Sequence, residues 1–127
     1  MNERKMLVGI KRDFGDLFKA SKRGELVEIV TPLTTLEDDF VSVFIRKSHM
    51  CYTVHDDGWL DSEGVIKSDV EQFLRAKFGV LYEQADGTIR IFHKDSTEDM
   101  LSNAVFDMAH FIQAVFNQII IERRMAK

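Results

Sequence analysis

Three consecutive residues with chemistry to offer, His55, Asp56 and Asp57, stand directly before a glycine, Gly58. Two carboxylates and an imidazole are the ingredients of a hard-cation site, or of a base that works near neutral pH. In extended geometry alternate side chains share a face, so His55 and Asp57 point one way and Asp56 the other. A single cation is then held by His55 and Asp57, or by Asp56 with a distant carboxylate such as Asp39, rather than by all three. Mg²⁺ and Mn²⁺ need few protein oxygens, so one or two carboxylates suffice. That set would serve a small metal-dependent hydrolase of nuclease type, with Asp56 or Asp57 and Asp39 on the metal and His55 as the base. Neither a catalytic lysine nor a second carboxylate motif accompanies it, and turn chemistry accounts for the same residues more simply. An aspartate side chain accepts backbone N–H bonds, and glycine supplies a positive φ. A third reading is an acidic surface recognised by a partner.

Little else in the chain would complete an active site. His49, His93 and His110 lack the spacing of a zinc set, and one cysteine is too few for the common structural zinc sites. A Gly-rich phosphate loop, a nucleophile elbow and a Cys/His dyad are all missing from the sequence. Cys51, the single cysteine, excludes an intrachain disulfide and reads as a small buried hydrophobe in a strand. The acids Glu37, Asp38 and Asp39 read as a solvated turn. No cofactor is expected.

The elements that must position these residues follow from the hydropathy pattern of a 127-residue chain, the size of one domain with one core. Residues 1–24 read as an N-terminal amphipathic helix, Asn2 to Lys22, with Leu7, Ile10, Phe14, Leu17 and Phe18 on one face and Gly24 at its end. Residues 25–95 hold five strands with one inserted helix. Leu26–Val30 is closed by Pro32, which cannot donate to a ladder. Phe40–Arg46, apolar on both faces, is the central strand, and Cys51–His55 is the third. Trp59 and Leu60 plug the core from an acidic loop. Ser68 and Glu71 form a capping box for a helix with Val70, Phe73, Leu74 and Phe78 on its apolar face, ended by Gly79. Val80–Glu83 and Thr88–His93 form a hairpin through Asp86 and Gly87.

Residues 96–127 contain a long C-terminal apolar helix, begun by a capping pair, Ser96 and Asp99. Leu101, Val105, Met108, Phe111, Ile112, Val115, Phe116, Ile119 and Ile120 make its inner stripe. Phe106, Ala109 and Ile121 widen that stripe, so the helix either runs through the centre of the domain or pairs with another copy of the chain. A homo-oligomer, a homodimer in the simplest case, would use those three residues as its interface. The predicted fold is α+β, one two-layer domain in the order α-β-β-β-α-β-β-α, with a mainly antiparallel five-stranded sheet and helices largely on one face.

The net charge of −4 is unevenly spread: residues 1–23 carry +4, residues 24–121 carry −10, and the last six carry +2. An acidic body argues against nucleic acid as a partner, because phosphate contacts need a basic face. Charges at Glu3, Arg4, Lys5, Lys11 and Arg12 interrupt any signal-peptide core, and no stretch reaches the ~18 apolar residues of a membrane span. A cytoplasmic protein with no membrane association is expected.

Four strings, Glu28-Ile29-Val30-Thr31-Pro32, Asp39-Phe40-Val41-Ser42-Val43-Phe44-Ile45, Val54-His55-Asp56-Asp57-Gly58 and Phe78-Gly79-Val80, resemble in order and spacing a bacterial and prophage family known only as domain of unknown function number eighteen twenty-eight. The likeness spans about residues 26 to 120. It sets Pro32, Asp39, Asp56, Asp57 and Gly58 on the family pattern, with His55 in place of the usual threonine and a short segment from Trp59 to Val65 in place of a longer loop. The resemblance implies a small accessory protein and no reaction. A non-enzymatic interaction module that inhibits, regulates or escorts another protein is therefore the leading expectation, with the metal-dependent hydrolase second.

Overall fold

The computed structural model describes residues 19–48, 51–63, 69–85 and 89–126. They form an α+β structure with a single six-stranded sheet: β1 (Lys19–Arg23), β2 (Leu26–Thr34), β3 (Phe40–Lys47), β4 (Tyr52–His55), β5 (Leu81–Ala85) and β6 (Ile89–Ser96). Every pairing is antiparallel, in the order β1-β2-β3-β4-β6-β5. Two helices, α1 (Trp59–Ser62) and α2 (Asp69–Phe78), lie between β4 and β5, and a 3₁₀ turn at Glu98–Met100 leads into the long α3 (Leu101–Met125).

The sixth strand is a correction to the expected five, and it comes from the end of the expected first helix. Residues 1–18 of that helix lie outside the described residues, but Lys19–Arg23 is extended and pairs with β2, Arg23 opposite Leu26. Gly24, at φ +63°, turns the chain between them. A left-handed glycine ends a helix and turns a hairpin equally well, so the sequence signal is shared by both. Helix propensity in Lys19–Arg23 yields to the ladder that β2 offers.

A second correction concerns Pro32. Strand β2 does not stop there but runs on to Thr34, with its register against β3 shifting between Val30 and Thr34. The exposed proline sits in that irregularity, where no ladder N–H is required. Thr31, buried, holds the distorted stretch to β3 by donating its hydroxyl to the carbonyl of Val41 at 2.8 Å.

One face of the sheet carries the core. Val27 and Ile29 of β2, Val43 and Ile45 of β3, Val54 of β4 and Phe92 of β6 pack with Leu101, Val105, Met108, Phe111, Ile112, Val115 and Phe116 of α3. Leu60 of α1 is fully buried in the same cluster, with Trp59, Leu74 and Phe78 packed against it. By length and composition Glu98–Met125 could span a membrane, but half of that apolar stretch is buried inside the fold. Lys94 of β6 fastens α2 and α3 together: its Nζ donates to the Phe78 carbonyl and to Asp107 Oδ2, both at 2.7 Å.

Three local expectations change. Phe73 is 68% exposed, because the inner row of α2 is taken by Leu74, Phe78 and the buried Glu71, which is ion-paired to Arg75 at 3.0 Å. Ser96 donates to the Thr97 carbonyl rather than capping, and neither the 3₁₀ turn nor α3 has a side-chain cap. Cys51 is half-buried just ahead of β4, its Sγ 3.1 Å from Ser48 Oγ. Ser68, Val70's side chain, Asp86, Gly87 and His49 lie outside what is described.

Candidate functional site

The site is built where β4 ends. Its last residue, His55, is followed by a turn in which the Trp59 N–H donates to the Asp56 carbonyl at 3.1 Å. The two central residues, Asp57 and Gly58, have φ of +54° and +76°. Consecutive positive φ values mark a turn of the I′ kind, which glycine enters freely and aspartate more readily than most residues. The carboxylate of Asp56 holds the turn from inside. Its Oδ1 accepts from Gly58 N–H and from Phe92 N–H on β6, each at 3.1 Å, and its Oδ2 accepts from Leu60 N–H at 3.0 Å. Asp56 is completely buried, so desolvation pushes its carboxyl above the usual range while the backbone N–H donors pull it back.

His55 lies on the opposite face of the sheet from Val54 and the core. Its Nδ1 accepts the Asp57 N–H at 2.9 Å, and its ring stacks on Phe44, centroids 6.0 Å apart and 19° from parallel. The neutral ring therefore carries its proton on Nε2. Burial, then the charges of Arg46 and His93, lower its pKa from 6.5 to about 4. With Nδ1 engaged and the ring resisting protonation, His55 is a structural acceptor rather than a base poised for neutral pH. His93, its cross-strand neighbour, is buried with Nε2 3.2 Å from Glu83 Oε1. His110 stays on α3, its Nδ1 3.0 Å from the Phe106 carbonyl.

Asp39 is delivered by the β2–β3 loop. Thr35 N–H donates to the Asp39 carbonyl at 2.9 Å, Asp38 N–H returns to the Thr35 carbonyl at 3.0 Å, and Asp38 takes a left-handed φ of +65°. The Thr35 hydroxyl accepts from Glu37 N–H and, at the long distance of 3.4 Å, from Asp39 N–H. This self-bonded loop fixes Asp39 and Phe40 at the mouth of β3.

Between that loop and the Asp56–Gly58 turn opens a cleft of about 520 Å³. Asp39, Asp56, Asp57 and Gly58 all line it, so the structure brings four of the five pattern residues to one place. Pro32 and His55 are not among its lining residues. Glu28, Ser42 and Ser62 add polar groups, and Phe40, Phe44 and Trp59 add aromatic ones. Sequence reasoning assigned those three rings to strand and core. Glu28 and Phe44 are directly opposed between β2 and β3, a register that no single-strand pattern reveals, although the polar Ser42 between Phe40 and Phe44 marks the face they share.

The carboxylates expected to hold a cation differ in what they can offer it. Asp56 spends both oxygens on backbone donors, and no group of three His, Cys, Asp or Glu side chains among the described residues is placed to hold a metal ion. Asp57 is exposed, its carboxyl pushed upward by partial desolvation and then by the charge of Glu28. A second hollow, about 740 Å³ between α2 and β5, has its cation Arg75 already paired with Glu71.

Of the proposed interface residues on α3, Ala109 is buried in the chain's own core, while Phe106 is 48% and Ile121 40% exposed. The chain matches no family model, no curated protein and no solved structure.

Proposed function

We propose that this chain is a non-enzymatic interaction module that binds another protein through the cleft beside the Asp56–Gly58 turn. The observation that carries this reading is the division of labour in the turn. His55, the base of the hydrolase reading, and Asp56, one of its two alternative metal ligands beside Asp39, are taken up by backbone hydrogen bonds, whereas Asp39, Asp57 and the exposed Phe40 line an open cleft. Aromatic and charged side chains on rigid elements are the usual anchors of protein recognition.

The test is an amide NMR titration of the whole chain with short peptides of varied composition and, separately, with Mg²⁺ and Mn²⁺. Peptide-induced shifts confined to residues 39–44 and 57–62 support the module. If Mg²⁺ or Mn²⁺ instead moves those amides, and at a hundredfold excess over its dissociation constant raises the unfolding free energy by about 2.7 kcal/mol, the metal-dependent hydrolase replaces it.

A further inference from the structure

The cleft combines two kinds of surface that seldom suit the same ligand. Carboxylates of Asp39, Asp57 and Glu28 make it negative, and Phe40, Phe44 and Trp59 make its walls aromatic. An anion is repelled by the first set. An uncharged apolar group would strip water from carboxylates and give nothing back. A hard metal ion keeps most of its own water and gains nothing from the rings. An organic cation satisfies both surfaces at once, because a ring face attracts positive charge and a carboxylate pairs with it.

Resting on the module reading above, we infer that the cleft receives the guanidinium of an arginine presented by a partner protein. Guanidinium is favoured over ammonium by its shape and hydration. It is planar, weakly hydrated, able to stack on a ring and to bridge carboxylate oxygens with a fork of donors, while an ammonium is a compact and strongly hydrated point charge. Among the described residues neither Asp39 nor Asp57 has a cationic partner. Glu28 raises the carboxyl of Asp57 further, and a guanidinium beside Asp57 counters that repulsion. The volume, about 520 Å³, accommodates a long side chain with some of its flanking backbone. Phe40, at the rim, is 62% exposed, and a partner's surface flanking the arginine would cover it.

The probes are blocked Gly-Ser peptides with one central arginine, lysine or citrulline, titrated into the full chain at low salt and followed by amide and indole NMR signals. The arginine peptide is expected to bind with a dissociation constant on the order of 1 mM. It should shift Phe40, Ser42, Asp57, Gly58 and the Trp59 indole, with lysine at least about threefold weaker and citrulline without effect. Asp57→Asn should weaken the arginine peptide about tenfold. Asparagine is at ease with positive φ, so that variant keeps the turn. Phe40→Ala, an exposed position, should weaken binding about threefold with an unchanged unfolding midpoint.

Citrulline binding as tightly as arginine at these amides would overturn the guanidinium assignment and leave the module standing. So would undiminished arginine binding by both Asp57→Asn and Phe40→Ala. If no peptide of any composition moves the cleft and Mg²⁺ or Mn²⁺ does, both readings fall together.

Discussion

Adjacent aspartates meet opposite fates in this chain, and the difference is measurable. The Asp56 carboxylate satisfies three backbone donors drawn from the turn, from α1 and from β6, and is completely buried. Asp56→Ala strands those donors and should cost about 3–4 kcal/mol in urea unfolding, while Asp57→Asn, at an exposed position, should stay within about 0.5 kcal/mol. The histidine beside them sets a pH dependence. His55 has a folded pKa of about 4 against an ordinary 6.5, so between those values the unfolded chain binds more protons and stability falls as pH falls. About 2 kcal/mol should be lost between pH 7 and pH 5, and His55→Gln should flatten that slope. Asp56, with its carboxyl raised, acts in the opposite sense just above the ordinary carboxylate range, which is why the comparison stops at pH 5. The turn itself was legible from the sequence, because aspartate acceptors and a positive-φ glycine are local chemistry. What was not legible was that Asp56 reaches across to Phe92, 36 residues away, since no local pattern announces a strand that will become a neighbour.

At the scale of elements, legibility followed how far each signal was self-contained. Strand β3, with apolar residues on both faces, and α3, with ten buried positions at helical spacing, carry their own evidence. Strand β1 has no such pattern: Lys-Ala-Ser-Lys-Arg becomes a strand only because Gly24 folds it back on β2. A helical apolar row can be drawn through Phe73, yet the buried Glu71, paired to the half-buried Arg75, occupies the inner face, with Arg75 lying 5.7 Å from the Tyr82 ring centre. The two sides of α3 give a direct check. Phe111 is fully buried and packs on Phe92 at 5.1 Å between ring centres, so Phe111→Ala should cost about 3–5 kcal/mol. Phe106→Ala, on the exposed side, should change the stability of the isolated chain by no more than about 0.5 kcal/mol. Chemical denaturation of both variants at one protein concentration separates the core face of α3 from the face open to a partner.

For the molecule as a whole, the strand order sets where it can come apart. Among the described strands, four pairings join neighbours in sequence, and the fifth, β4 with β6, closes the sheet across the segment that holds α1, α2 and β5. That seam is the costly contact to form, because loop closure precedes its reward. Side chains reinforce it at two points, Thr53 donating to Asp95 Oδ1 at 2.9 Å and Asp56 accepting from Phe92. Helix α3 packs on strands from both sides of it, which ties the β5–β6 hairpin to the β1–β4 meander even where the ladder is short. Native-state hydrogen exchange should therefore show β3, β4 and the Phe92 amide opening only with global unfolding, while the edge strands β1 and β5 open locally at free energies lower by several kcal/mol. In Asp56→Ala the β6 amides, Phe92 first, should join the fast set while β2 and β3 retain their protection relative to the variant's own global stability. Uniform loss across β2, β3 and β6 would show instead that the seam has no opening of its own, and that the hairpin and the meander are one cooperative unit held by α3.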